Sequence, residues 1–409
     1  MNTKLIRAPA ATSVDQMEPL IPSIREMEPL LALASTLREK SLKLTAHPLP
    51  GLRVYLVSIL RAMNSYYTNK IEGQHTLPAD IENALNNQYS NDRSIAHKQR
   101  IARAHLVTEE WAENLSTISN WRDTFSADLV CKIHKYFYEQ MPVEDRVTDA
   151  GEPVNEGEIR VQNVTVGMHM PPDFNHLKAF LSRWESGFTK LPDGDTALVG
   201  LACAHHRLAW IHPFNDGNGR VARLQAHLAL HAMGLTNGMW SPMRGLARTH
   251  KQYYSFLHNA DEHRQGDYDG RGALTQNGLV DWAKYFLEVC IDQVTFMEKM
   301  LNLEDFKDRL KTLLIVEETK GQTGLKTAAL LPLHYIAVSG PIERKEFKTM
   351  TGLPDRTAER LLKSLIEYRL LISDTPRGKV SMGIPLRSLQ FLFPNLWPEA
   401  EVKIARDEH

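Results

Sequence analysis

The chain has 409 residues, 43% of them hydrophobic, and a formal net charge of −1. A chain of this length can bury cores in two or three domains, and its charge balance argues against a polyelectrolyte partner for the whole protein. No stretch approaches the roughly 18 apolar residues of a membrane span, and residues 1–22 lack a signal-peptide core. We therefore expect a soluble, cytoplasmic protein without a membrane partner.

The cysteines and histidines predict neither disulfides nor a zinc motif. Cys131, Cys203 and Cys290 lie in helix-like segments and have no Cys-x-x-Cys spacing. A sparse, odd set of this kind favours buried free thiols in a reducing compartment. The 17 histidines are scattered and show no zinc-ligand spacing along the chain.

Apolar residues recur at helical spacing through most of residues 26–303, which predicts a mainly α-helical protein. Strand-like patterning stands out in residues 157–172, where β-branched residues precede two prolines and predict a short surface hairpin. We assign an N-terminal helical region (1–110), a central domain (111–303), a helical connector (304–326), a C-terminal domain (327–398) and a tail (399–409). The clearest helical patterns cover residues 30–44, 79–87, 96–115, 127–140 and 280–300.

The most informative segment is a loop between two predicted helices, 196–211 and 221–233. From His212 to Arg223 it reads His-Pro-Phe-Asn-Asp-Gly-Asn-Gly-Arg-Val-Ala-Arg. Its glycines lead into the N-terminus of the second helix, where unpaired backbone N–H groups favour phosphate oxygens. Within the loop, His212 can remove a proton from an attacking hydroxyl, and Asp216 offers hard oxygen ligands to Mg²⁺.

The other polar positions of this loop suit an anion. Gly217 and Gly219 let the backbone approach a phosphate closely, and Asn218 can donate to a phosphate oxygen. Arg220 and Arg223 can bind more distal phosphates. Asp-Gly-Asn-Gly alone would favour an ordinary polar turn. A base, a carboxylate and two arginines in the same string favour a site for phosphate-group transfer.

The C-terminal domain is predicted to contain three helices followed by a hairpin. The segment from Leu330 to Pro398 carries ten Lys/Arg and six Asp/Glu, a net charge of +4. Its third helix, 354–368, can expose Arg356, Arg360 and Lys363. This order resembles a winged helix-turn-helix. Contact with DNA fits the pattern, and so does protein docking or dimer packing.

The loop from His212 to Arg223 matches H-P-F-x-[D/E]-G-N-G-R-x-x-R at every fixed position, and the chain therefore resembles the Fic family. Members most often transfer AMP from ATP to a Ser, Thr or Tyr hydroxyl of a protein and release pyrophosphate. The resemblance implies a mainly α-helical Fic domain at 111–303, with a β-hairpin flap at 159–170 and the catalytic loop at 212–223.

The resemblance assigns roles within this loop. It implies that His212 is the base, that Asp216 holds Mg²⁺, and that Asn218 contacts the α-phosphate together with the amides of Gly217 and Gly219. It places Arg220 and Arg223 on the β- and γ-phosphates.

Further nucleotide contacts are implied outside the loop. The flap would also hold the target segment by backbone pairing, although any surface hairpin shows the same pattern. Tyr253 and Tyr254 could cover the face of a purine or pack in the core. Asp261 stands where some relatives carry Asn. The implied contacts are Val166, Gly167, Met168, His169, Tyr253, Tyr254 and Asp261.

Residues 68–73 match the family's inhibitory pattern [S/T]-x-x-x-E-[G/N] through Thr68, Glu72 and Gly73. The resemblance implies that Glu72 enters the ATP site and pairs with Arg223, which denies the γ-phosphate its arginine. An isolated pattern of this kind also fits a surface carboxylate at a helix end. The catalytic-loop string in the same chain favours inhibition.

We therefore predict an autoinhibited, Mg²⁺-dependent protein adenylyltransferase acting on an unidentified protein and on itself, for which the family makes a homodimer plausible. Tyr66 and Tyr67 are candidate self-modification sites that also fit core packing. A carboxylate beside the phosphates would alternatively allow removal of AMP, alone or as a second activity. A DNA-binding regulator that uses the Fic domain as a nucleotide sensor is the third interpretation, although sensing alone requires neither a base nor a metal ligand.

Overall fold

The computed structural model of the protein describes residues 10–46, 50–148, 150–394 and 396. These residues are mostly helical, which confirms the mainly α prediction. The sheet found within these ranges consists of two short antiparallel strands, β1 (Leu371–Ile372) and β2 (Ser381–Met382), with Leu371 opposite Met382. The predicted tail, 399–409, lies outside the described residues.

The chain divides into two compact units, as far as their segments are described. Unit 1 is formed from Met1–Thr45, Asn64–Thr76 and Asn83–Val294, and unit 2 from Ala46–Met63, Leu77–Glu82 and Thr295–His409. Short 3-10 turns lie at Val14–Met17, Trp121–Thr124, Val143–Asp145, Phe174–His176, Thr327–Ala329 and Leu386–Ser388.

The helices follow the predicted patterns closely. The first group is α1 (Ile24–Thr45), α2 (Pro50–Ile71), α3 (Pro78–Leu85), α4 (Arg93–Glu113), α5 (Ala127–Glu139), α6 (Leu177–Phe188), α7 (Asp195–Ile211) and α8 (Asn218–Ala232). The second is α9 (Met243–Arg248), α10 (His250–Asp261), α11 (Gln276–Met300), α12 (Leu303–Lys320), α13 (Leu330–Ser339), α14 (Arg344–Met350), α15 (Asp355–Glu367) and α16 (Leu389–Leu392).

Helix α7 lies at the centre of unit 1, where it packs against α1, α6 and α8. Its sequence is rich in Ala and Leu and is buried on nearly every side, as expected for a helix without a polar face. Gly200 permits a close approach, because a Cβ at this position would lie 2.0 Å from Cδ1 of Leu191. Helix α8 is buried almost as completely, so the loop between α7 and α8 projects from a rigid pair.

A buried histidine connects the helices beneath this loop. His205 of α7 stacks on Trp282 of α11, with ring centroids 5.4 Å apart. Its Nδ1 lies 3.1 Å from the carbonyl oxygen of Ala222 in α8, and its Nε2 lies 3.0 Å from the hydroxyl of Tyr253 in α10. Burial lowers the pKa of His205 to about 3, so the imidazole is neutral and acts as a structural polar link.

Unit 2 contains the elements predicted near the C-terminus. Helices α14 and α15 are followed by β1 and β2, and a bridge between Ile342 and Val380 adds to this pair. Helix α15 buries one apolar stripe, and its exposed residues include both basic (Arg356, Arg360, Lys363) and acidic (Asp355, Glu359, Glu367) side chains. The winged helix-turn-helix and its contact with DNA stay predictions.

The cysteines are free, as expected, and Cys203 and Cys290 are buried, whereas Cys131 is only partly buried. No helix in the described ranges has the length and hydropathy needed to cross a membrane.

Replacing Trp282 with alanine should remove the packing beneath the loop. Trp282 is fully buried, and its Nε1 donates to the carbonyl oxygen of Ala202 at 2.6 Å. We expect Trp282→Ala to lower the free energy of unfolding by about 3–5 kcal/mol, measured by urea denaturation. Tyr268→Ala removes an aromatic side chain that is 101% exposed and should leave stability within about 0.5 kcal/mol of wild type. Equal losses in the two variants would contradict the proposed packing.

Candidate functional site

The loop begins with a forced change of direction at His212. Helix α7 ends there, because His212 has left-handed backbone angles (φ 50°, ψ 63°) and Pro213 cannot continue the helical hydrogen bonding. A non-glycine residue rarely holds this conformation without support. Arg160 supplies that support: its Nε donates to the carbonyl oxygen of His212 at 2.9 Å, and its backbone N–H donates to that of Pro213 at 2.9 Å.

Arg160 also ties the predicted flap to the loop. Its two terminal nitrogens donate to the carbonyl oxygens of Gln162 and Pro172, at 2.8 and 2.6 Å. Burial lowers the pKa of this guanidinium to about 10, so Arg160 remains cationic at neutral pH. Sequence reasoning assigned no role to Arg160, because its partners are backbone atoms that no motif specifies.

The flap itself is shorter than the sequence pattern suggested. One antiparallel bridge joins Val166 and His169 across a tight turn in which Gly167 has φ 58°. The preceding β-branched residues form no strand, and Val161 before the turn and Met168 within it are 76% and 70% exposed. The structure therefore retains the turn but not the longer hairpin.

Asn218 closes the loop on itself. Its Oδ1 accepts the backbone N–H of Phe214 at 2.9 Å, and its Nδ2 donates to the carbonyl oxygen of Phe214 at 2.8 Å. Gly217, at φ 79°, immediately precedes Asn218, the first residue of helix α8. The first backbone N–H groups of α8 therefore occupy a fixed position at a helix N-terminus, where an anion is favoured.

Asp216 is oriented by two side chains of helix α5. The hydroxyl of Tyr138 donates to Oδ2 of Asp216 at 2.7 Å, and Nε2 of His134 lies 3.1 Å from the backbone carbonyl oxygen of Asp216. The N–H of Gly157 donates to Nδ1 of His134 at 2.8 Å, so the proton of the neutral ring lies on Nε2. Burial lowers the pKa of His134 to about 4, which keeps this ring neutral.

The carboxylate of Asp216 fits a hard cation. Its second oxygen, Oδ1, takes no hydrogen bond from the residues that the structure describes. One carboxylate that retains a lone-pair site, together with phosphate oxygens, is the donor set that Mg²⁺ commonly uses. Neither Tyr138 nor His134 was predicted, since both come from a distant helix.

The end of helix α2 engages both arginines of the loop. Oε1 of Glu72 accepts a hydrogen bond from a terminal nitrogen of Arg223, and Nε of Arg223 donates to Oγ1 of Thr68 at 2.8 Å. Arg220 donates to Oδ1 of Asn69 at 3.2 Å and to Oε1 of Gln74 at 2.8 Å. The structure thus brings the predicted Glu72–Arg223 pair together.

Electrostatics favour the ionised form of this pair. Burial opposes the charge on Glu72, but Arg223 and Arg220 outweigh it and hold the pKa of this carboxyl below its usual value. Burial likewise opposes the charge on Arg223, and Glu72 raises the pKa of the guanidinium. Gly219 makes the close approach feasible, because a Cβ there would lie 2.4 Å from Oε1 of Glu72.

His212 is a neutral imidazole at physiological pH. Burial lowers its pKa to about 4, and the nearby positive charge of His169 and Arg160 adds to the effect. Glu72 acts in the opposite direction but does not outweigh them. An unprotonated imidazole can accept a proton without first losing one.

These groups surround one cavity of about 430 Å³, within the range of nucleotide-sized pockets. Most predicted contacts line it, but Asp216, Gly217 and Arg220 do not. Ala209, Trp210, Leu257 and His258 line it without having been predicted, because they carry no motif chemistry. The lining residues are Glu72, Val166, Gly167, Met168, His169, Ala209, Trp210, His212, Asn218, Gly219, Arg223, Tyr253, Tyr254, Leu257, His258 and Asp261.

The far end of the cavity holds Asp261 between two histidines. Nε2 of His206 lies 3.2 Å from Oδ1 of Asp261, and Nδ1 of His169 lies 3.7 Å from Oδ2. Burial opposes the charge on Asp261, but His206 and His169 hold its pKa below the usual value. Tyr253 is buried and bonded to His205, whereas Tyr254 is 46% exposed and donates to the carbonyl oxygen of Ile71 at 3.1 Å.

The comparisons with known proteins agree with this geometry. Residues 124–230 match the Fic/DOC family model, so this part of the chain is similar to Fic domains. Over 138 residues, 34% of the chain, it is 33% identical to "Protein adenylyltransferase Fic" of Drosophila mojavensis and of Drosophila melanogaster. This segment is therefore homologous to Fic protein adenylyltransferases. The matches span only 26% and 27% of those relatives, about a quarter of their length.

Solved structures of Fic proteins are also similar. A Fic domain protein from Bacteroides thetaiotaomicron is 18% identical, with a TM-score of 0.49 over 65% of this chain and 95% of that one. Fic-1 from C. elegans is 19% identical, with a TM-score of 0.48 over 66% of this chain and 71% of that one.

Replacing Arg160 with glutamine should loosen the flap and the turn at His212. Three carbonyl oxygens would lose a charged donor, so we expect a loss of about 2–3 kcal/mol in the free energy of unfolding. Amide hydrogen exchange of residues 161–170 should also become faster than in wild type. Arg271→Gln, at an exposed position, is the control and should change neither quantity. Unchanged exchange in Arg160→Gln would exclude this positioning role.

Proposed function

We propose that this protein is a protein adenylyltransferase that transfers AMP from ATP to a Ser, Thr or Tyr hydroxyl of a protein and is inhibited by Glu72. The observation that carries the proposal is the arrangement within one cavity of His212, the N-terminus of α8 and the Glu72–Arg223 pair. The homology to Fic protein adenylyltransferases supports the reaction class.

The reaction follows from the chemistry of these groups. The target hydroxyl oxygen attacks the α-phosphorus of ATP, and its proton passes to the unprotonated ring nitrogen of His212. A bond forms between the hydroxyl oxygen and the α-phosphorus, and the bond to the oxygen that bridges to the β-phosphate breaks. Pyrophosphate leaves. The N–H groups at the start of α8, including that of Gly219, stabilise charge on the phosphate oxygens.

Asp216 would hold Mg²⁺, oriented by the hydroxyl of Tyr138. The ion supplies positive charge to the phosphate oxygens when it is bound. Tyr138 and His134 then serve to keep Asp216 in one orientation before the nucleotide arrives.

Inhibition acts on the position of the γ-phosphate. Arg223 can neutralise either Glu72 or a phosphate, and the carboxylate is covalently attached to the same chain. Arg220 is also bonded to the end of α2, through Asn69 and Gln74. A nucleotide bound without these arginines would present its α-phosphorus in a poor alignment for attack.

Removal of AMP and self-modification are two further predicted activities. Glu72 lines the cavity and its side chain is 28% exposed, so it could orient a water molecule for removal of AMP from a modified protein. Self-modification at Tyr66 or Tyr67 would require a change in structure, because both side chains are 1% exposed.

Replacing Glu72 with glycine should release the activity. We expect the full-length wild type to incorporate little label from α-labelled ATP with Mg²⁺ into itself or lysate proteins, and Glu72→Gly to incorporate at least about tenfold more. Glu72→Gly/His212→Ala should lose the label, and Glu72→Gly/Arg223→Ala should lose most of it. Intact-mass spectra should show the AMP adduct.

The controls separate the alternatives. Glu288→Gln changes an exposed carboxylate of α11 and should behave as wild type. Label in Glu72→Gly that survives the His212 change would refute the base assignment. Absence of label in every variant, with ATP binding established, would reject adenylyl transfer and favour AMP removal or a sensor that regulates DNA binding.

The pH dependence of the released activity should be unusual for a histidine base. Because the pKa of His212 is about 4, the base is unprotonated from pH 8 down to about pH 5. Loss of Glu72 removes a carboxylate that favours the protonated ring, so the pKa should fall further. We expect kcat/KM of Glu72→Gly, which reports the ionisation of the free enzyme, to stay flat over this range and to decline only below it. A midpoint near pH 6.5 in a folded protein would contradict this.

A further inference from the structure

A second group of ligand-type side chains lies in unit 1, and none of them lines the cavity. Helices α4 and α8 pack against each other, and each contributes a pair spaced by four residues, which places both members on one helix face. Helix α4 carries Glu109 and Glu113, and helix α8 carries His227 and His231. Sequence spacing could not reveal this group, because its members come from two helices far apart in the chain.

The donor atoms have the separations of a metal's ligand shell. Nε2 of His227 lies 2.9 Å from Oε1 of Glu113 and 3.5 Å from Oε1 of Glu109. One donor atom from each of these three residues lies within 4.8 Å of the other two. Four ligands at about 2.1 Å from a tetrahedral ion are roughly 3.4 Å apart, so small side-chain movements would accommodate one.

The three donor side chains are buried. The side chains of Glu109, Glu113 and His227 are 1%, 5% and 3% exposed. A cation held by two carboxylates and an imidazole at this depth would be shielded from water, which strengthens its interaction with them. Asn64 donates to Oε1 of Glu109 at 2.8 Å, and hydrogen bonds of this kind orient the carboxylate ligands of metal sites.

His105 provides an independent indication. It is fully buried one turn before Glu109, and its Nδ1 lies 3.8 Å from Oε2 of that residue. Neither ring nitrogen makes a hydrogen bond within the part of the chain that the structure describes. A buried imidazole of this kind, directed at a carboxylate, requires a physical explanation.

We propose that Glu109, Glu113 and His227 bind one divalent transition-metal ion of the zinc type, with His105 and His231 as neighbouring donors. The mixed imidazole and carboxylate set suits zinc and similar ions better than Mg²⁺. This site is distinct from Asp216 and does not depend on the proposed adenylyl transfer. Its ion would connect α4 to α8, the helix that carries Arg223.

The test uses the full-length protein, stripped with a chelator and reconstituted with Co²⁺ or Zn²⁺ without nucleotide. Metal content after desalting should reach one ion per chain, and the Co²⁺ protein should show visible absorption typical of low-coordinate imidazole ligation. Zn²⁺ should raise the melting temperature of the stripped protein. Glu113→Gln and His227→Gln keep similar size and should weaken binding by at least about 100-fold.

Matched variants locate the ion. Asp216→Asn and Glu288→Gln should bind it as wild type does. Three outcomes would overturn the proposal: no ion retained by reconstituted wild type, equal retention by Glu113→Gln and His227→Gln, or loss in Asp216→Asn. Should the substituted proteins unfold, the wild-type Co²⁺ spectrum decides, because absence of imidazole ligation also excludes the site.

Discussion

The contact between Glu72 and Arg223 is the constraint around which the cavity is organised. Arg223 is 1% exposed, and an anion nearby offsets the cost of burying its guanidinium. In this arrangement Glu72 supplies that anion from the end of α2. A nucleotide phosphate would satisfy the same cation, so the carboxylate and the phosphate compete for one charge. The helix end therefore stabilises the buried arginine and obstructs its proposed use at the same time.

Buried, hydrogen-bonded side chains hold the residues around the Glu72–Arg223 contact in place. Arg160 holds the left-handed turn at His212, and His134 with Tyr138 fixes Asp216. His134 and His205 are neutral because they are buried, and they act as directed hydrogen-bonding groups without charge. The groups assigned to the chemistry consequently occupy fixed positions, whereas the flap around Met168 presents exposed apolar side chains.

The sequence predicted those parts of the site whose residues follow one another in the chain. The string from His212 to Arg223 contains its own base, carboxylate and glycines, and the long helices follow from apolar periodicity. Arg160 escaped prediction because it acts through backbone carbonyl oxygens that carry no residue-specific signal. Asn218 illustrates a second limit: its type indicated a phosphate donor, and its additional bonds from both polar atoms to Phe214 could not be predicted. Tertiary contacts, which spacing cannot specify, decided both cases.

The two helices joined by the Glu72–Arg223 contact continue into the same buried polar cluster. His227 follows Arg223 by one turn of α8, and Asn64, which donates to Glu109, precedes Thr68 by one turn of α2. A helical turn is stiff over this distance, so the position of Arg223 relative to the end of α2 depends on how the cluster is packed. A cation bound there would hold α4 and α8 in one register and favour the geometry that Glu72 requires. The cluster would then stabilise the pairing of Glu72 with Arg223 without lining the cavity.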